Sequence, residues 1–344
     1  MLGAAQGAED VDFFFVADAS TWSQAQLDAR LAEEVYRPFD LEHGPLIRVN
    51  VFTRAPHEHI LALALHHSIT DLWSIAVLMY ELGVFYPGER DGVPVALKVP
   101  RAQYADFIAE QNAMLANAEG ARLWEFWASQ LAGDIAPLDL PTDHPRPPMQ
   151  TYRGASQTIR LNADLTRRLS ALAKSRGATL HELALAAFET LLYRYTGQDD
   201  FLIGSPKAVR NQKYARLIGY FVNPIVLRAQ LAGNPTFVEL LERARQTVAD
   251  AFAHDAFPLA LIVERLQPTR DLSRAPLFQV MFAWQKTTRL VDGQSLTSLA
   301  LAEPGKPFML DGLPLEIYPL PERVVPFDLL LQMAESNDDL VALI

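Results

Sequence analysis

The stretch His59-Ile-Leu-Ala-Leu-Ala-Leu-His-His-Ser-Ile-Thr-Asp-Leu-Trp-Ser74 joins a strand to a helix through two adjacent histidines and an aspartate. Residues 59–67 are apolar on both faces, the pattern of a central strand. Side chains alternate along a strand, so His66 and His67 are expected to face opposite sides and to hold different roles. The turn Ser68-Ile69-Thr70 leads to Asp71, placed to cap a helix predicted over Leu72–Leu82, with Leu72, Ile75, Leu78, Met79 and Leu82 on one face. An imidazole with a pKa of about 6.5 can accept a proton from an amine or hydroxyl, which makes this corner a candidate active site. By composition alone a histidine pair on a buried strand fits packing as well as chemistry, and Asp71 fits a plain helix cap.

Working outward, Ser23–Tyr36 has helical spacing (Leu27, Leu31, Val35) and stops at Pro38, while Phe13–Val16 and Leu46–Phe52 read as strands. A long helix is predicted over Tyr104–Leu131, with a break expected near Gly120 and with Trp124 and Trp127 as packing residues. Residues 137–150, PLDLPTDHPRPPMQ, hold five prolines in fourteen positions and read as an extended linker. It divides the chain into a first lobe, 1–136, and a second, 151–344. In the second lobe, Ala163–Arg176 is amphipathic, and Thr179–Tyr195 opens on a capping box of Thr179 and Glu182. Strands are expected at Phe201–Gly204, Val222–Arg228 and Leu277–Gln285, with Pro224 sending the second to a sheet edge or bulge. Helices are expected at Phe237–Phe252 and Leu259–Leu266. Strands interleaved with helices in both halves predict α/β or α+β layers in each lobe.

Composition removes several function classes. The 344 residues include 41 acidic and 30 basic side chains, a formal net charge of −11, which is poorly suited to a phosphate backbone. With no cysteine there is no thiol nucleophile, thiolate metal site or disulfide, and the cytoplasm is the expected compartment. No apolar run reaches the roughly 18 residues that span a bilayer, so no membrane partner is expected. His57-Glu58-His59 reads as a solvated turn, and His181-Glu182 lacks the second histidine of HExxH, so no metal site is expected. Ser205 lacks the G-x-S-x-G setting of a hydrolase nucleophile.

The spelling His66-His67-Ser-Ile-Thr-Asp71-Leu-Trp-Ser74 resembles the HHxxxDG signature of the condensation domains of nonribosomal peptide synthetases, in an HHxxxDxWS form. Further stretches are similar to that family in the same order: Arg37-Pro-Phe-Asp through Arg48, Tyr104-Ala-Asp-Phe107 and Gln150-Thr-Tyr-Arg-Gly154. Next come Ile203-Gly-Ser-Pro-Lys-Ala-Val-Arg-Asn211, Ile218-Gly-Tyr-Phe-Val-Asn223, His254-Asp-Ala-Phe-Pro258 and Arg270 through Phe282.

The resemblance implies two chloramphenicol-acetyltransferase-like lobes in a V around a central tunnel. It implies amide formation between an acyl or peptidyl thioester on an upstream carrier protein and the amine of an aminoacyl thioester on a downstream one. The 4'-phosphopantetheine arms belong to those carriers, no cofactor is bound intrinsically, and an adenylation domain is a further partner. His67 takes the catalytic role, as general base or as support for the tetrahedral intermediate. His66 and Asp71 are supporting, and Asp71 is expected to pair with Arg210 across the lobes. Ser74 and Asn223 are candidates for lining the tunnel. Leu72 stands where the commonest spelling has glycine, a subtype difference beside the tunnel. The histidine pair departs from the aspartates of heterocyclisation members, and Gly204–Arg210 from the Glu-Gly-His-Gly-Arg of epimerisation members. Against the family, sequence is expected to be missing before residue 1 and after Ile344. The competing readings are a non-catalytic carrier-docking module and a free-standing acyltransferase using a soluble thioester such as coenzyme A.

Overall fold

The computed structural model describes residues 13–285, 308–310, 312–320, 323–336 and 338–344. Strand β1 (Phe14–Asp18) runs parallel to β2 (Ile47–Ala55), which turns at Pro56 and His57 into antiparallel β3 (Glu58–Leu65). Helix α1 (Gln24–Tyr36) opens on a capping box between Ser23 and Gln26, and lays Leu27 and Leu31 against Ala19 and Phe52. Buried Arg48 of β2 donates to the carbonyls of Glu34 (3.1 Å) and Pro38 (3.4 Å), with its guanidinium over the Phe39 ring. These carbonyls lie at the end of α1, where no further helical N–H can serve them. The tie fixes α1 against β2, whose partner strand β3 leads into the histidine turn.

Helix α2 (Leu72–Asp91) runs past the expected Leu82 and carries Pro87 within it. The single helix expected over Tyr104–Leu131 is two: α3 (Tyr104–Leu115) and α4 (Ala118–Gln130). Asn117 caps α4 by accepting the Glu119 N–H at 2.8 Å. Gly120 permits the sharp join, since a Cβ there would lie 2.4 Å from the Leu115 carbonyl oxygen. The glycine therefore sits just after the break and not at it.

The larger sheet has, among the described residues, six strands in the order β4 (Thr158–Leu161), β11 (Asp339–Leu343), β10 (Leu329–Ser336), β7 (Val280–Gln285), β5 (Asp200–Ala208), β6 (Val222–Gln230). Its centre, β10-β7-β5, is parallel and its flanks are antiparallel. Central strands buried on both faces need apolar runs, and Phe201, Ile203, Val280 and Phe282 are fully buried. Pro224 lies on the outer strand β6, opposite Pro206, where its missing N–H breaks no inner ladder. Helices α5 (Ala163–Ser175), α6 (Leu180–Thr196), α7 (Phe237–Ala253) and α8 (Leu259–Leu266) supply the layer against it. The Thr179–Glu182 capping box opens α6. Strands β8 (Phe308–Leu310) and β9 (Leu313–Leu315) form a separate small hairpin.

Helix α4 precedes the proline-rich stretch, yet Leu123 and Trp127 are buried in the larger sheet's core, and Trp127 Nε1 donates to the His254 carbonyl at 3.1 Å. The proline-rich stretch itself is extended but stitched down. Leu138 is 1 % exposed, its N–H donates to Gln279 Oε1 (2.8 Å), and the Asp139 N–H donates to Gln198 Oε1 (2.7 Å). Among the described residues no helix is long and apolar enough to cross a membrane.

Candidate active site

Strand β3 ends at Leu65, and the last ladder bond runs from the His66 N–H to the Leu46 carbonyl at 3.0 Å. His66 and His67 therefore do not alternate along a strand as expected. A tight turn over His67–Ile69 sets their directions instead. His66 caps that turn, accepting the Ser68 N–H at 3.2 Å, with Ser68 Oγ 2.8 Å from the same Nδ1 and the Phe39 ring edge-on.

His67 is exposed, and its Nδ1 lies 2.7 Å from the Thr70 carbonyl oxygen. A carbonyl only accepts, so Nδ1 carries the hydrogen in this contact. In the neutral ring that leaves the Nε2 lone pair as an acceptor. The Tyr220 ring stands edge-to-face with the imidazole, centroids 5.3 Å apart and planes at 88°.

Asp71 caps α2, and its carboxylate is 3 % exposed. Oδ1 accepts from the Ser74 N–H (2.7 Å) and Arg210 Nη2 (3.0 Å), and lies 2.7 Å from Ser74 Oγ. Oδ2 accepts from Arg210 Nη2 (3.2 Å) and from the Phe221 N–H (3.1 Å). The Arg210 side chain, 5 % exposed, spends Nη1 on the Tyr214 and Leu217 carbonyls, so one nitrogen and not a two-pronged fork meets Asp71. Its guanidinium lies 4.0 Å from the centre of the Phe221 ring. A carboxylate this buried needs such a set of donors, because desolvation of an isolated charge costs several kcal/mol. Burial pushes the Arg210 guanidinium below its usual range, and the charge of Asp71 opposes the shift.

Residues 219–221 cross to this cluster from the segment between β5 and β6. Ser74 Oγ accepts the Gly219 N–H (3.1 Å) and Arg210 Nη2 (2.8 Å), and lies 2.8 Å from the Gly219 carbonyl. Tyr104 donates its hydroxyl hydrogen to the Tyr220 carbonyl at 2.8 Å. Burial, followed by the Tyr104 and Asp71 charges, raises the Tyr220 phenol, so it stays protonated at neutral pH. Trp73, 45 % exposed, adds a hydrogen bond from Nε1 to the Ala215 carbonyl at 2.8 Å.

The two residues expected to line the tunnel, Ser74 and Asn223, are hydrogen-bonded within the protein. Ser74 is fully buried within the Asp71–Gly219 network. Asn223 spends Nδ2 on the Asp255 and Phe257 carbonyls (both 2.8 Å) and Oδ1 on the Leu259 N–H (2.9 Å), so it holds the start of α8 in place. Both Nδ2 hydrogens and one lone pair of Oδ1 are thereby committed to backbone groups. Tyr220 stands inside Ile218–Asn223, where the sequence offers only an aromatic residue beside a glycine as a signal. His57 and Glu58 lie at the β2–β3 turn, and no group of three or more His, Asp or Glu side chains suited to a metal gathers among the described residues.

A buried ion pair between the start of α2 and the β5–β6 connection thus stands four residues from an exposed histidine, in a mixed α/β fold. The chain belongs to the condensation-domain family: the family's model, described as "Condensation domain", matches residues 7–343. It is 38% identical over 317 residues to malpibaldin synthetase of Mortierella alpina, covering 92% of this chain and 5% of that protein. It is 42% identical over 257 residues to the phosphinothricin tripeptide synthetase PhsB of Streptomyces viridochromogenes, covering 74% and 22%. The chain thus spans a small part of the length of these curated relatives. Among solved structures, the X-domain from teicoplanin biosynthesis matches at TM-score 0.81 and 25% identity, over 96% of this chain and 72% of that one. The condensation domain from the Monacolin K polyketide synthase MokA matches at TM-score 0.73 and 22% identity, over 96% and 73%. The mixed α/β fold, in two lobes set as a V, is the fold of those structures.

Proposed function

We propose that this chain forms an amide bond between an acyl or peptidyl thioester on an upstream carrier protein and the amine of an aminoacyl thioester on a downstream carrier. The observation that carries the reading is the state of His67: an exposed imidazole whose Nδ1–H is fixed by Thr70, leaving Nε2 as an acceptor. Each thioester rides on the 4'-phosphopantetheine arm of its carrier, reaching His67 from opposite ends of a tunnel between the lobes. An adenylation domain of the same cytoplasmic assembly line loads the carriers. Membership of the condensation-domain family and likeness to malpibaldin synthetase support these partners.

In the reaction the amine nitrogen attacks the thioester carbonyl, and Nε2 accepts a hydrogen bond from it as the C–N bond forms. Collapse of the tetrahedral intermediate breaks the C–S bond, and the amine proton passes through Nε2 to the departing sulfur. An α-ammonium with a pKa near 8 leaves about a tenth of the amine free at pH 7 and gives up its proton readily, so little base strength is needed. Alignment of amine, carbonyl and Nε2 supplies most of the gain. The absence of cysteine is consistent with a direct transfer in which the enzyme adds no thiol nucleophile.

The test combines the chain with a donor-loaded and an acceptor-loaded carrier and detects the amide by mass. Product that requires both carriers supports the reading. Product from an acyl-coenzyme A donor without a carrier points to a free-standing acyltransferase. Carrier binding without product in either arm points to a docking module.

A further inference from the structure

We propose that Tyr220 is a positioning residue for His67, held against the imidazole by the Asp71–Arg210 cluster; the proposal deepens the condensation reading and rests on it for its catalytic consequence. The Nδ1–H···O bond to Thr70 fixes one point of the His67 ring. A ring held by its Cβ–Cγ bond and one hydrogen bond can still rock as χ1 and χ2 shift together, which would carry Nε2 off the line between amine and carbonyl. The Tyr220 ring, perpendicular at 88° with centroids 5.3 Å apart, blocks that rocking and adds the attraction of an edge-to-face pair.

Tyr220 is itself placed through its backbone. The preceding Gly219 N–H is bonded to Ser74, its own carbonyl accepts from Tyr104, and the following Phe221 N–H is bonded to Asp71. Three consecutive residues from the β5–β6 connection are thus fastened to α2 and α3, and the Tyr220 side chain is the one that meets the imidazole. In this arrangement the buried Asp71–Arg210 pair serves the reaction without touching substrate: it sets where Tyr220 stands, and Tyr220 sets how His67 is turned.

The test uses Y220F and Y220L, with the unfolding temperature as the check that each is folded. Histidine ring resonances of the unmodified chain are expected to show proton–proton contacts between His67 and Tyr220; their absence overturns the proposal without any variant. Y220L is expected to move the His67 ring signals and to slow single-turnover amide formation about tenfold or more, with the KM for the loaded carriers unchanged. Y220F keeps the ring and is expected to keep both. If Y220L leaves the His67 signals or the rate unchanged, the positioning role is wrong. If the signals move while the unmodified chain forms no amide from loaded carriers, the condensation reading fails and the Tyr220–His67 coupling stands.

Discussion

Arg210 Nη2 lies 3.0 Å from Asp71 Oδ1, and both side chains are almost fully buried although 139 positions separate them in the chain. The pair joins the residue that caps α2, four places after His67, to the segment that carries Tyr220. Removing one partner strands the other charge out of water. R210M is therefore expected to destabilise the fold by about 3–5 kcal/mol, and D71L by a similar amount. The double variant D71L/R210M is expected to lose clearly less than the sum of the two, as urea midpoints of the four proteins will measure. Strict additivity would contradict the coupling.

Asn223 is expected to act on the fold and not on substrate. N223A removes three hydrogen bonds to residues 255, 257 and 259. A loss of about 2 kcal/mol follows, at roughly 1 kcal/mol or less per bond. Amide hydrogen exchange at Leu259 should speed up in N223A; unchanged protection there with weakened carrier binding would return Asn223 to a substrate role.

A methyl group at Gly219 has no room. Its Cβ would sit 2.6 Å from Tyr104 Cδ2 and 2.9 Å from Phe221 Cε2. G219A is expected to cost about 1–3 kcal/mol, because Tyr104 is held by its bond to the Tyr220 carbonyl and cannot simply turn away. Thermal unfolding of G219A measures this, and an unshifted transition would show that the crossing segment is looser than these contacts imply.

Glu189 gives the fold a pH dependence. It is buried on α6, and burial pushes its carboxyl from the ordinary 4.5 up to about 8. Below pH about 4.5 both folded and unfolded chains hold the proton and no cost arises. Between about 4.5 and 8 the unfolded chain ionises while the folded one keeps its proton, so stability falls with rising pH and levels off above 8. The full loss is on the order of 5 kcal/mol. E189Q removes this slope, and its stability relative to the unmodified chain should rise from pH 5 to pH 8. Parallel urea midpoints across that range would contradict it.

The corner His66–Asp71 was legible in sequence, and the choice of Arg210 as partner came from the resemblance, with the need of a buried carboxylate for a cation as its physical reason. The edge placement of Pro224 was legible for an equally local reason, the missing N–H. What a tight turn does to two histidines was not: period-two alternation ends with the ladder, and the ladder ends at Leu65. The roles of Ser74 and Asn223 were hidden because a polar side chain in a motif looks the same whether it faces substrate or a backbone group. The break between α3 and α4 lies ahead of Gly120, where Asn117 supplies the cap and the glycine only the clearance. Packing of α4 on the larger sheet depends on contacts such as Trp127 with His254 that no local pattern encodes.

The central claim is that His67 Nε2 handles the amine proton. The direct measurement is the single-turnover rate of amide formation between loaded donor and acceptor carriers, for the unmodified chain and for H67A. His67 is exposed and H67A loses one hydrogen bond and one ring contact, so it should stay folded with a modest drop in unfolding temperature. Its amide-forming rate is expected to fall about 10²- to 10⁴-fold. A folded H67A that forms amide at the unmodified rate would contradict the account.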